Sequence, residues 1–386
     1  MNHSQAVKHN HHLNPLPGIT RFIRKNPVLI IAFFAALLTS FAVPPDAEYL
    51  SYIDFKTITC LFCTLAVVCA LKNIGFFTFL AHKIISVTGN IKISVLSLVY
   101  ITFIGSMLIA NDMALLTFLP LGYYVLKDTG KEKYMAFTFI MQNVAANLGG
   151  MLTPFGNPQN LYLYSYFKIS TLEFTQIMLP LFLLSVLIIT ALCLICVKSE
   201  KIKSIEFNDN ALPKARTVLY LCLFACAIIL VFGKMPYVAG LIIIVSALLF
   251  SDRPALRKVD YGLLFTFIFF FIFAGNMSRI DAVRDLFSFL LGKNTLIFSV
   301  ISCQCISNVP TAVLLSHFTG NYRALLMGVN IGGAGTLIAS LASLITFREF
   351  SSHYPEKVGR YIGLFSTINF GFAIILTLFA MLVCSA

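Results

Sequence analysis

The feature that most constrains this chain is a series of apolar runs joined by short polar connections. Continuous runs of helix-compatible composition cover residues 28 to 43, 56 to 71, 174 to 197, 217 to 233, 235 to 250, 260 to 277 and 361 to 384. About 20 apolar residues cross the hydrocarbon core of a bilayer, so each run reads as a span. Only 11% of the 386 residues are charged, against roughly 25% in a soluble domain, which excludes a soluble globular enzyme. A backbone in lipid must satisfy its own hydrogen bonds, and for runs of this length that means helices. The expected fold class is an all-α polytopic membrane protein of the cell inner (plasma) membrane.

Two segments differ from these spans. Residues 74 to 90, with His82 and Lys83 mid-segment, and 280 to 292 read as amphipathic helices lying at the interface. Four further segments are apolar but broken. Residues 92 to 126 break at Ala110-Asn111-Asp112, and 134 to 166 break at NLGGMLTPFGNPQN, residues 147 to 160. Residues 294 to 318 break at Ser307-Asn308-Val309-Pro310, and 322 to 345 break around NIGGAGT, residues 330 to 336. These breaks pair in the same order in both halves. Ile53-Asp54-Phe55 matches Val259-Asp260-Tyr261, the two tips match each other, and Asn147-Leu148-Gly149-Gly150 matches Asn330-Ile331-Gly332-Gly333. The pairing reads as an internal duplication. The expected organisation is a polar cytoplasmic tail over 1 to 26, a first repeat over 27 to 197, a cytoplasmic linker over 198 to 216 and a second repeat over 217 to 386.

The net charge of +12 would suggest nucleic acid in a soluble protein; in a membrane protein basic residues report topology instead. With the tail cytoplasmic, Lys56, Lys168, Lys234, Arg279, Arg284, Lys293 and Arg323 fall outside and the other 21 of the 28 basic residues fall inside. That asymmetry follows the positive-inside rule. The additional span at 217 to 233 turns the second half over. About nine transmembrane helices and two opposed re-entrant hairpins result, an inverted-repeat architecture that places substrate near the bilayer midplane. The bilayer is then a partner and nucleic acid is not.

A helix broken within lipid implies a wet or protein-walled cavity around the freed backbone groups. Its amino ends suit anions and its carboxyl ends suit cations. In this topology Asp112 is alone among the 16 acids within the bilayer, where an ionised Asp costs about 2.5 to 3.5 kcal/mol on insertion scales. Asp112 is therefore the candidate for the coupling cation or proton, with Asn111, Asn147, Gly149, Gly150, Gly156 and Asn308 around it; the alternative is a structural role capping the second limb of the hairpin. Candidate substrate residues are Asn111, Thr153, Asn157, Asn160, Ser307, Asn308, Thr311 and Thr336. Amide and hydroxyl groups without a fixed cation suit a small anion bound together with a cation, or an uncharged oxyacid. The glycine pairs also fit close helix packing, and His317 is expected at an exposed position near the outer end of its limb. Cys60-x-x-Cys63 stands without a second pair and reads as packing. Nothing resembles a protease or zinc-enzyme constellation, and no cofactor beyond a coupling H+ or Na+ is expected.

The set IANDMALLTFLP, NLGGMLTPFGNPQNLY, SNVPTAVLL and NIGGAGTLI resembles the ion transporter superfamily with the citrate-transporter-like domain. That group holds sodium-coupled di- and tricarboxylate symporters, arsenite-efflux permeases and a class of sodium/proton antiporters. The resemblance covers roughly residues 28 to 384 and implies secondary transport of a small anion coupled to H+ or Na+. It also implies elevator-type motion of hairpins and broken helices against a scaffold, and a homodimer. Dicarboxylate members carry Ser-Asn-Thr at each hairpin tip, whereas here the tips read Ala110-Asn111-Asp112 and Ser307-Asn308-Val309. The Asn-Asp pair is closer to arsenite permeases, and GNPQN at 156 to 160 looks like a branch of anion permeases.

Overall fold

The structure, a computed structural model, describes residues 27–86, 88–202 and 211–385, with residues 384 and 385 described by backbone alone. The expected tail with its histidines, the linker residues Lys203, Glu206 and Asp209, and the Cys384 side chain lie outside the described residues. Among the described residues every regular element is helical, and one isolated bridge pairs Asn90 with Lys201. In chain order the helices are α1 (Pro27–Ala42), α2 (Tyr49–Tyr52), α3 (Phe55–Asn73), α4 (Phe76–Ile85), α5 (Ile91–Ile109), α6 (Asn111–Asp128), α7 (Met135–Gly149), α8 (Pro158–Tyr166) and α9 (Thr171–Cys196). They continue as α10 (Lys214–Val231), α11 (Tyr237–Ser251), α12 (Arg253–Arg257), α13 (Tyr261–Ser278), α14 (Asp281–Ile306), α15 (Asn308–Ser316), α16 (Tyr322–Gly332), α17 (Leu341–His353) and α18 (Val358–Ser385).

Each break foreseen in the sequence falls between helices. Seven helices of the described chain are long and apolar enough to cross a membrane, and Phe41 and Phe250 stand 79% and 89% exposed, as suits side chains facing lipid. This is a multi-pass membrane protein. The runs at 28 to 43 and 235 to 250 form helices of 16 and 15 described residues, the length of the runs themselves to within one residue. Helix α5, expected as a hairpin limb, is long and apolar enough to cross a membrane. In α14 the interfacial stretch and the limb join across a kink at Asn294, whose φ of −163° is extended and whose Oδ1 accepts from Ile297 N–H at 2.9 Å. The asparagine caps the limb as a helix of its own, so two helices meet at the kink.

Caps explain where the other helices begin. Asp54 and Asp260 open α3 and α13 with nearly equal backbone angles, and each accepts from the N–H three residues on at 3.0 Å. Helices α1 and α13 run side by side, with Asn276 near the end of α13 donating to Thr39 near the end of α1 at 3.2 Å. Helix α9, at 26 residues about 39 Å long, shows how the two helical hairpins are placed. The base of α5–α6 meets its carboxyl end, where Lys92 donates to Leu194 O at 2.8 Å and Ile91 N–H to Glu200 O at 3.0 Å. The far end of α14–α15 leads into α16, which meets the amino end of α9: Tyr322 donates to Glu173 at 2.7 Å and Arg323 pairs with it at 3.0 Å. The bases of the two hairpins therefore lie toward opposite ends of α9.

Candidate functional site

Each hairpin turns at one residue with positive φ that is not glycine. Ala110 has φ 65° and ψ 152°, and Ser307 has φ 74° and ψ 158°. This region is nearly closed to residues with a Cβ, and such strain persists where surrounding structure fixes it. At the next residue in each hairpin an asparagine folds back on the chain. Asn111 Oδ1 accepts from Asp112 N–H at 3.0 Å and Asn308 Oδ1 accepts from Val309 N–H at 2.9 Å.

The two tips border one open cleft of about 730 Å³. Four helix starts contribute to its wall: Asn111 and Asp112 of α6, Pro158 and Gln159 of α8, Asn308 to Pro310 of α15, and the Ser340 cap with Leu341 of α17. The start of α1 and Asp260 with Thr266 of α13 complete it. No lysine, arginine or histidine of the described residues lines it. Helix amino ends carry partial positive charge and free N–H groups, so these four starts offer an anion partners without any fixed cation. Asp112 reverses that locally: its Oδ1 is buried and accepts no hydrogen bond within the described chain. The Oε1 of Gln159 is likewise buried and unpartnered.

Of the residues singled out in the sequence, Asn111, Asp112, Ser307 and Asn308 line this cleft. The others lie behind it and hold its walls. Thr311 donates to Ser307 O at 2.7 Å. Thr153 donates to Met107 O at 2.8 Å and Thr336 to Gln304 O at 3.1 Å, each tying a break to the residue three before a hairpin tip. Asn160 donates to the carbonyls of Gly150, Met151 and Thr153, at 3.1 to 3.4 Å, closing the first break on itself. Gly149 and Gly332 let their broken helices approach the hairpin limbs: a Cβ on Gly149 would collide with Phe103 O and Ser106 Oγ, and one on Gly332 with Cys303. Gly150 and Gly156 face each other across the break with no room for a Cβ.

A buried chain of amides joins the two halves. Asn157, which precedes α8, donates to Asn330 Oδ1 at 3.4 Å, and Ser340, which precedes α17, donates to Asn147 Oδ1 at 2.8 Å. Asn157 and Ser340 share an extended conformation, with φ −138° and −149° and ψ 142° and 143°. Thus the residue preceding the second half-helix in each half binds the last asparagine of the first half-helix in the other. Asn111 donates to Asn147 at 3.2 Å, Asn330 to Asn160 at 2.6 Å, and Asn143 to Asn369 at 3.3 Å.

Sequence reasoning missed Asp260, Gln159 and Ser340 as cleft residues. For Asp260, its pairing with Asp54 was the available signal. The pairing breaks down at one point: Asp54 also accepts from the Thr57 hydroxyl, whereas the matching position holds Leu263. Asp260 therefore lacks that bond and stands exposed in the cleft. His317, expected exposed, is half-buried with its ring 5.5 Å from that of Tyr166.

Residues 19–321 match the citrate transporter family. An uncharacterised transporter of Methanocaldococcus jannaschii is 34% identical over 317 residues, 82% of this chain and 86% of its own length. An inner membrane protein of Escherichia coli is 27% identical over 314 residues, 80% of this chain and 84% of its own. The silicon efflux transporter of Oryza sativa is 29% identical over 147 residues, 38% of this chain and 30% of its own. A family match over most of the chain, beside a relative that aligns over most of both lengths, leaves one assignment: the chain belongs to the citrate transporter family.

Proposed function

We propose that the protein is a secondary active transporter moving a small anion, a carboxylate or inorganic oxyanion, coupled to H+ or Na+. The observation that carries this reading is the convergence of four helix amino ends and the unpartnered Asp112 Oδ1 on a cleft without basic side chains among the described residues. An anion held by helix ends beside a carboxylate needs a cation or proton on that carboxylate, which links the two movements. Asn111 and Asn308 are in place to contact both solutes. The matched contacts of the two breaks support an inverted duplication with re-entrant hairpins, and the amide chain supports hairpins and broken helices moving together as one elevator body. Orientation with the amino terminus in the cytoplasm and assembly as a homodimer belong to the same reading.

A second reading, efflux of an undissociated oxyacid, is favoured by the unpartnered acceptors Asp112 Oδ1 and Gln159 Oε1 at the cleft, with Asn157 Oδ1 buried behind it. An acid bearing O–H groups satisfies such acceptors, and a relative named for silicon efflux shares part of the chain. Uptake into proteoliposomes separates the readings, with carboxylates, phosphate, sulfate and arsenite scanned under imposed proton and sodium gradients. Wild-type protein should accumulate one anion only when a gradient is present, and Asp112→Asn should lose the gradient dependence. Equal gradient dependence in Asp112→Asn overturns the assignment of Asp112; gradient-driven exchange of H+ for Na+ without any anion overturns the substrate class.

A further inference from the structure

A second cavity, of about 1170 Å³, lies at the other end of the helices that form the cleft. Helices α8, α13 and α15 all begin at the cleft; the second cavity is lined by Tyr162 and Tyr166 of α8, Ser278 at the end of α13 and His317 just past α15. Gln159 and Tyr166 are separated by about 10 Å of helix. The partition between the cavities is packed and tied. Tyr162 is fully buried, its hydroxyl lies 2.8 Å from Ser316 Oγ, and its ring packs 5.4 Å from that of Phe271.

The charges of the two cavities are opposite. The cleft has Asp112 and Asp260 and no basic side chain of the described residues. The second cavity has Lys56, Lys168 and His317. Neither lysine forms an ion pair among the described residues. The one acid here, Asp54, has its carboxylate bonded to the N–H and hydroxyl of Thr57 at the start of its own helix. Arg279, whose guanidinium reaches the Tyr52 hydroxyl at the rim, is already held by Asp46 at 2.8 Å and Glu48 at 3.4 Å. Lys168 adds a separate observation. It follows the end of α8 with φ 53°, in a conformation and position that favour glycine, so the chain carries a strained backbone to place an ammonium group there.

We propose that this second cavity is an anion-binding vestibule, in which Lys56, Lys168 and the ring N–H of His317 receive a small carboxylate or oxyanion at the opposite mouth of the same route. The proposal rests on the transport reading for its place in the route, though the binding site itself stands on the cavity and its charges. A mouth of each sign at the two ends gives the route polarity: the acidic cleft concentrates the coupling cation and the basic vestibule concentrates the anion.

The test is amine acylation of the full-length protein in detergent by a sulfonated N-hydroxysuccinimide acetate, followed by peptide mass spectrometry. Citrate, inorganic phosphate and chloride are compared at equal ionic strength. Citrate or phosphate should slow acylation of Lys56 and Lys168 by about threefold at twice its dissociation constant, the factor being one plus the ratio of ligand to that constant. Lys127, exposed and outside both cavities, should show no slowing. Lys168→Gln should abolish the protection of Lys56 while leaving the thermal unfolding midpoint unchanged. Equal rates in all three salts, or equal slowing at Lys127, overturn the proposal. Protection of both lysines in a protein that transports no anion leaves the site in place and overturns the transport reading; gradient-coupled anion transport without protection does the reverse.

Discussion

Individual atoms around the breaks decide what the cleft can hold. Gly150 is the sharpest case, because a Cβ there would sit 2.5 Å from Asn157 Oδ1 and 2.7 Å from Gly156 O. Neither neighbour can retreat, since Asn157 is buried against Asn147 and Asn330 and Gly156 belongs to the closed break. Gly150→Ala should therefore lower stability by about 1–3 kcal/mol, the usual cost of overpacking a closed site. Gly363 in α18 has nothing within 4 Å of its Cβ position, so Gly363→Ala should stay within about 1 kcal/mol of wild type or exceed it. Thermal unfolding of the two variants in detergent checks both, and equal loss in the two would contradict the packing argument. The same scale explains why Asp260 escaped notice in the sequence. An aspartate before a helix reads as a cap, and it is one; only its position beside the tips gives it a second setting.

At the level of elements, the two hairpin turns and the loop after α9 carry the most specific expectations. Ala110 adopts a conformation that a β-branched residue tolerates poorly. Ala110→Val should destabilise the protein by about 1–3 kcal/mol, while Ala110→Gly, which relieves the Cβ, should not. Unfolding midpoints of the pair test this, and a Val variant as stable as the Gly variant would show that the turn is not strained. Beyond α9, Lys131 and Lys133 hold the Glu200 carboxyl down to about 2. A carboxyl whose folded value lies below its ordinary 4.5 contributes stability above that ordinary value and loses the contribution as pH falls toward about 2. Carbon-13 titration of labelled glutamate should find Glu200 ionised at pH 4, and Lys131→Met with Lys133→Met should return it toward 4.5; titration near 4.5 in the wild type would contradict the pairing. The breaks themselves were legible because Asn, Gly and Pro interrupt apolar runs at cap and turn positions. The kink in α14 falls at Asn294, where the sequence divides that stretch into the segments 280 to 292 and 294 to 318.

For the whole molecule, the main finding is the reciprocal bonding of the halves through Asn157 to Asn330 and Ser340 to Asn147. No sequence pattern displays such contacts, since they join residues more than 170 positions apart and depend on how the halves are packed. Half of the paired residues were nonetheless visible as candidates, because the breaks had to contain polar groups. A double-mutant cycle of Asn147→Ala with Ser340→Ala should show coupling of about 0.5–1.5 kcal/mol in unfolding free energy, and additivity would mean that the halves do not share this bond. The central claim is that the cleft between the tips is where the coupled anion and cation sit. It is tested most directly by a density map of the protein in a lipid nanodisc with its transported anion and coupling ion. Density should appear in contact with Asn111, Asn308 and Gln159, beside the Asp112 carboxylate; saturating anion bound elsewhere, with the cleft filled only by side chains, would rule this placement out.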